Sequence, residues 1–310
     1  MSPVPFSFHL FKFDGVCQTV ALTLCPLIGK SDGIEPLCYS RNVEFAGMLI
    51  FQPGTLIMDI ISIFMTSIMI YHIKTKYTAI GRKEITMFFQ LYLMTILLDM
   101  LLVTSIIPKA SILYPYFTAA HLGLISATFW CLLLNGFVGF QFAEDGTPIS
   151  LWSIRVTCFT IWLTVVLISI LTFNNVGPFN YETPMVLWII YFLVNSAAFV
   201  IYVIMQVILV VFTLDDPWAL GDIAFGTLFF IVGQVTMYVF SVAICEELKH
   251  YMDGLFLGSA FNLLAVMMVY KYWDSITKED LEFALDSKPQ HWQILQQVRE
   301  EEEEKESVYQ

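Results

Sequence analysis

Residues 85–107 read ITMFFQLYLMTILLDMLLVTSII, 23 residues in which Asp99 is the one charged side chain. As a helix rising about 1.5 Å per residue the stretch extends about 35 Å, enough to cross about 30 Å of hydrocarbon. An Asp near mid-bilayer costs roughly 2.5–3.5 kcal/mol on insertion scales. The thirteen Leu, Ile, Phe and Val residues of the stretch return roughly 4–8 kcal/mol at about 0.3–0.6 each. Insertion wins. Inside lipid the backbone must satisfy its own hydrogen bonds, so the stretch is a helix.

Six further blocks share this character: Ala46–Ile73, Tyr116–Phe142, Leu151–Phe173, Met185–Thr213, Ile223–Cys245 and Asp253–Tyr272. Breaker residues separate them, among them Pro108 and Pro115, Gly146-Thr147-Pro148, Gly177-Pro178, Asp216-Pro217 and Asp253-Gly254. Short connections make consecutive helices antiparallel neighbours. The composition agrees: 57% of the 310 residues are hydrophobic and 14% charged, with a mean hydropathy of +0.72. Soluble domains carry roughly 25% charged residues, so a water-facing globular surface is excluded. The fold class is an all-α polytopic membrane protein of seven transmembrane helices in a lipid bilayer.

Lys and Arg near the helix ends set the orientation. Lys74, Lys76, Arg82, Lys83, Arg155 and the tail bases Lys271, Lys278, Lys288, Arg299 and Lys305 share one side; Lys12, Lys30, Arg41, Lys109 and Lys249 lie on the other. Ten against five places the amino terminus in the lumen and the carboxyl terminus in the cytosol. The expected divisions are a lumenal amino-terminal segment over 1–45, the seven-helix domain over 46–272 and an acidic cytosolic tail over 273–310. No basic region precedes the short apolar stretch Val16–Ile28, which is interrupted by Pro26, so the first span is expected to act as signal anchor. The net charge of −12 is concentrated in the tail, whose eleven acids and four bases repel nucleic acid and anionic lipid.

Polar and small residues inside the spans are the candidate functional features. Asp59 and Asp99 read either as an ion or proton relay or as carboxyls bonded to a neighbouring helix. The third span carries Ala119, Gly123, Ala127, Cys131, Asn135 and Gly139 every fourth residue, and the last carries Gly254, Gly258 and Asn262. In the sixth, Thr227, Gln234 and Ser241 recur beside Gly226 and Gly233. Such rows let helices approach closely. Gly123, Asn135, Gln234, Gly254, Gly258 and Asn262 are thus candidates for packing within the bundle or for contact with a partner's helices.

Catalytic and cofactor chemistry has no foothold. Of the five histidines only His121 lies well inside a span, His72 falling at the end of the first, and no HExxH, CxxC, Walker, GxSxG or GxGxxG pattern occurs. The seventh span has no Lys before Lys271 for a retinal Schiff base, and the Asp-Arg-Tyr and Asn-Pro-x-x-Tyr features of rhodopsin-like receptors are missing. The expectation is a protein without cofactor that is not an enzyme. Cys131 and Cys158 lie within spans and pack as small hydrophobes. Cys17, Cys25, Cys38 and Cys245 fall on the lumenal side, where oxidation permits three full pairings. Closing Cys17 on Cys25 costs little entropy and leaves Cys38 for Cys245; Cys25 or Cys17 in place of Cys38, or free thiols, stay open.

Several stretches resemble the fungal chitin synthase export chaperones. They are Lys76-Tyr77-Thr78-Ala79-Ile80-Gly81-Arg82 followed by Phe88-Phe89-Gln90-Leu91, Tyr114-Pro115-Tyr116-Phe117, and Gly136–Phe140 with Glu144-Asp145-Gly146-Thr147. A long block runs from Gly233-Gln234 through Ile244-Cys245, Lys249-His250-Tyr251, Asp253-Gly254 and Met267–Lys271 to Trp273-Asp274 and Asp280-Leu281-Glu282-Phe283. The resemblance spans about Cys38 to Phe283. It implies a multispanning endoplasmic-reticulum protein that helps a polytopic chitin synthase fold and leave that compartment, with no catalytic residues to transfer. Lys76, Tyr77, Gly81, Arg82, Asp280 and Glu282 are candidate cytosolic contacts, and Asp280-Leu281-Glu282 also fits a di-acidic signal for export-coat machinery. Topology alone also allows a seven-span receptor or sensor, an intramembrane zinc hydrolase, for which one intramembrane His is too few, or a constitutive accessory subunit that stays with the synthase.

Overall fold

The computed structural model describes residues 11–29, 33–45, 48–76, 79, 81–139, 146–213 and 217–277. Seven helices in it are long and apolar enough to cross a membrane: Pro53–Thr75, Arg82–Val103, Tyr114–Val138, Pro148–Phe173, Met185–Phe212, Trp218–Tyr238 and Gly254–Thr277. The third is the most enclosed, with 56% of its apolar window buried, and the sixth the least, with 17%. The third packs on the second, fourth and fifth. Its stripe of small residues explains that centrality, since Ala119, Ala127 and Cys131 are at most 1% exposed.

The first span shows how lipid inverts the soluble pattern. Its inward face is Thr55, Asp59, Ser62, Thr66, Met69 and Ile73, whereas Ile57, Phe64, Ile68 and Tyr71 face outward. Hydrocarbon accepts the apolar side chains, so the polar ones gather inside, where neighbouring helices can meet them.

Several helix ends differ from the sequence expectation; the second span ends at Val103 rather than Ile107, and the sixth begins at Trp218 rather than Ile223. The first span starts at Pro53 rather than Ala46, because Val43–Phe45 and Met48–Ile50 pair as an antiparallel hairpin with Val43 opposite Ile50. Gln52 then takes a left-handed φ of 48° and Pro53 opens the helix, its ring already holding the required φ. The sixth span stops at Tyr238, and Cys245 belongs to a separate short helix, Ser241–Glu247. The last span continues to Thr277, past residue 272. The rest of the tail, with the acidic run 300–304, lies outside the described residues.

Residues 11–28 close the bundle mouth on the side of the amino terminus. Phe13, Val16, Cys17, Val20, Leu24, Cys25 and Ile28 are each at most 2% exposed. They pack among Val103, Leu122, Val165, Leu187, Trp188 and Leu255 from five of the spans. The stretch is apolar because it is a plug, too short to span. Disulfides join Cys17 to Cys25 and Cys38 to Cys245, so the plug is stapled internally and its exit is tied to the short helix after the sixth span. A backbone bond from Arg41 N to His250 O, 2.7 Å, runs beside the second bridge. Cys131 and Cys158 are unbridged and buried.

Candidate functional site

Beneath the plug lies a cavity of about 400 Å³. Its wall takes residues from every span except the fourth, and residues 21–24 form its lid. Asp59 and Asp99, the two carboxyls singled out within the spans, meet the buried histidine His121 there. Asp99 Oδ1 stands 3.5 Å from His121 Nε2, and His121 Nδ1 stands 3.3 Å from Thr23 Oγ1 of the lid. Tyr114 donates from its hydroxyl to the Thr23 carbonyl at 2.8 Å. The lid is therefore held by polar contacts to the third span as well as by apolar packing.

Asp59 is 3% exposed, lines the same cavity, and its Oδ2 has no hydrogen-bond partner. Asn195 is 5% exposed and its amide nitrogen likewise lacks a partner. It comes directly after a π-helical stretch, Ile189–Val194, inside the fifth span. The wider turn rotates the residues beyond it about the helix axis, and such insertions recur at functional positions. Here it presents Tyr191, Phe192 and Asn195 to the cavity. Tyr238 of the sixth span donates to the Tyr191 hydroxyl at 3.3 Å across the space.

The six candidates for packing or partner contact separate by environment. A Cβ on Gly123 would stand 2.8 Å from Val166 Cγ2 and 2.9 Å from the Trp162 carbonyl oxygen, so the fourth span lies directly against it. One on Gly254 would stand 2.5 Å from Ser241 Cβ. Gly258 borders the cavity, but a Cβ there would meet Met237 and the Gly233 carbonyl. Asn135 donates to the Cys131 carbonyl of its own helix at 2.8 Å. Gln234 and Asn262 are the two of the six that bring a polar side chain to the cavity wall.

At the opposite end of the bundle, the stretch after the first span folds back on the last helix. Lys76 pairs with Asp274 and lies 5.6 Å from the centre of the Trp273 ring. Arg82 donates to the Lys74 and Lys76 carbonyls at 3.3 and 3.5 Å. Gly81 takes φ 64° and precedes the second helix. Glu84, fully buried, accepts from Gly146 N at 2.8 Å, which links the loop to the start of the fourth span. Tyr77, Asp280 and Glu282 lie outside the described residues. On the plug side, Lys109 sits over the Phe51 ring at 5.5 Å. Burial pushes its ammonium down from the usual lysine range and Glu35 opposes that.

Cys38, Cys245 and His250 are, among the described residues, the one group of three ligand-type side chains within 4.8 Å. The two sulfurs are already bonded to each other, which leaves His250 Nδ1 3.2 Å from Cys38 Sγ and 3.0 Å from the Tyr39 carbonyl.

The pairing of His121 with Asp99 and the plugging role of residues 11–28 escaped sequence reasoning. The signal for the first was present in the sequence, since His121 is the histidine that lies well inside a span, and it is buried there. The apolar but undersized Val16–Ile28 was the signal for the second.

Three comparisons bear on what this arrangement serves. The family model described as chitin synthase export chaperone matches residues 9–287. A chitin synthase export chaperone of Coccidioides immitis is 45% identical over 296 residues, 94% of this chain and 89% of the relative. One of Chaetomium globosum is 47% identical over 298 residues, 93% and 89% of the two chains. One of Cryptococcus neoformans var. neoformans is 46% identical over 289 residues, 93% and 80%. No solved structure matches this one.

Proposed function

The chain belongs to the chitin synthase export chaperone family, and from that premise we propose that it binds a polytopic chitin synthase in the endoplasmic-reticulum membrane and enables the enzyme to fold and leave for the cell surface. The observation that carries this is the family match over residues 9–287, with relatives of that printed name at 45–47% identity across nearly the whole chain. The role is that of a binder without a chemical step. Wall chitin synthesis depends on it through delivery of the synthase. A synthase has polar and small-residue helix faces that stay unsatisfied until its own bundle closes, and each interhelical bond is worth about 0.6–2 kcal/mol. A preformed bundle can shelter such faces during assembly.

The geometry argues for where that contact is not. A Cβ at Gly123, Gly254 or Gly258 would press on this protein's own neighbouring elements, which supports reading the three as packing positions of the bundle. The cytosolic candidates are better placed, because Lys76, Gly81 and Arg82 shape one end of the bundle and sit beside the start of the acidic tail. Asp280 and Glu282 continue from there as a candidate signal for coat machinery.

Deleting the gene is expected to retain a chitin synthase in the endoplasmic reticulum, lower wall chitin severalfold and leave bulk secretion intact. A synthase that reaches the surface normally, with wall chitin unchanged and no second copy of the gene, would overturn the reading. If the two proteins instead co-purify from plasma membrane in equal amounts, the lasting-subunit alternative takes its place.

The orientation is tested separately. The chain has no Asn-x-Ser/Thr sequence, so a glycan on an acceptor engineered between Gly29 and Glu35 reports the insert alone. Modification there, with a cytosolic tag after Gln310, is the expected result. An unmodified acceptor with a lumenal carboxyl tag refutes it.

A further inference from the structure

We propose that the cavity beneath the plug is a binding site for a small organic ammonium compound, a protonated amine on an apolar body. Charge comes first. Asp59 and Asp99 both line the cavity, and among the described residues the only lining side chain able to carry a positive charge is His121. No described Lys or Arg lines it. Two carboxyls in a low-dielectric space favour a cation and exclude carboxylates and phosphates.

Size and lining then select among cations. About 400 Å³ is far more than the roughly 30 Å³ that one water occupies in the liquid, and it lies within the range of small-molecule pockets. Aromatic rings make up much of the wall, with Phe129, Phe192, Phe230, Tyr191 and Tyr238 facing the space. Ring faces attract ammonium groups by their quadrupole and also accept an apolar body. A second, apolar cavity of about 130 Å³ lies alongside, with Tyr92, Thr95, Ile125, Phe129, Phe230 and Asn262 lining both.

The orphaned polar atoms complete the case. A buried acceptor left unpaired costs about 1–3 kcal/mol, more when charged, and Asp59 Oδ2 is such an atom. An ammonium hydrogen satisfies it. Asn195 Nδ2 is a buried donor without a partner, which a hydroxyl or carbonyl oxygen on the ligand would satisfy. Thr23 of the lid touches His121, so an occupied site would bear directly on the plug.

The test uses the purified full-length protein in detergent and three probes of one skeleton: 4-phenylbutylamine, 4-phenylbutanol and 4-phenylbutanoate. Melting is followed by intrinsic tryptophan fluorescence. The amine is expected to raise the melting temperature saturably, by roughly 3–8 °C near saturation, while the alcohol and the acid leave it within about 1 °C of the unliganded protein, in line with the same linkage relation. Asp59→Asn should abolish the shift. Ser259 also lines the cavity, so Ser259→Leu fills space there without removing charge and should weaken binding at least about tenfold; it decides the matter should Asp59→Asn fail to fold. An equal response to all three probes, no response to the amine, or an amine shift unchanged in the folded variants would overturn the proposal. So would an Asp59-dependent shift produced by sodium chloride and not by the amine, which would mark an inorganic cation site. No synthase enters the measurement, so its outcome is independent of the export role.

Discussion

Replacing Cys245 by serine is expected to destabilise the protein by roughly 5 kcal/mol, about twice the loss from replacing Cys17. The two bridges differ in the chain they enclose, a sequence separation of 207 residues for Cys38–Cys245 against 8 for Cys17–Cys25. In the loop-entropy model that difference alone gives roughly 5 against roughly 2.5 kcal/mol. Removing Cys245 also frees the plug's exit from the helix after the sixth span, while the plug's buried side chains keep their places among the spans. Melting of the detergent-solubilised variants, with and without reductant, measures both effects. Reductant should lower the wild-type melting temperature further than it lowers that of Cys245→Ser. Equal losses for Cys17→Ser and Cys245→Ser would mean that the long closure adds nothing to stability.

Gly123→Leu is expected to cost about 3 kcal/mol or more and to remove most of the folded protein. The nearest atoms to its Cβ include the Trp162 carbonyl oxygen at 2.9 Å. A backbone atom cannot rotate away as a side-chain tip can, so the third and fourth spans would have to separate. Since the third span is the hub of the bundle, that separation propagates. Gly254→Leu meets the Ser241 Cα at 2.7 Å and should behave alike. Gly221 provides the contrast, with nothing within 4 Å of its Cβ position. Gly221→Ala should be neutral or stabilise by up to about 1 kcal/mol through helix propensity. The yield of monodisperse protein on size exclusion, normalised to expression, is the readout. A Gly123→Leu protein that folds normally yet no longer co-purifies with the synthase would instead place Gly123 at the client interface.

These two expectations also show which properties were legible along the chain. The seven spans could be read because hydrophobic length is a local property: a run such as residues 85–107 must cross the bilayer whatever its neighbours do. The close helix approaches at Gly123, Gly254 and Gly258 were legible for a similar reason, as missing side chains at helical spacing. Their partners were not legible, because periodicity describes one helix and contact requires two. The hairpin before Pro53 was hidden by the same apolarity that revealed the spans, since Met48, Leu49 and Ile50 suit strand and helix equally. Family motifs were visible from about Cys38 onward, while the family match begins at residue 9. By itself, then, the sequence determined the helices, their number and the family. Only the tertiary structure decided that Asp99 meets His121, that residues 11–28 close the mouth over a polar cavity, and that Asp59 and Asn195 face it unpaired. Such juxtapositions join residues tens to hundreds of positions apart, and they arise from how the helices pack, which no single stretch of chain encodes.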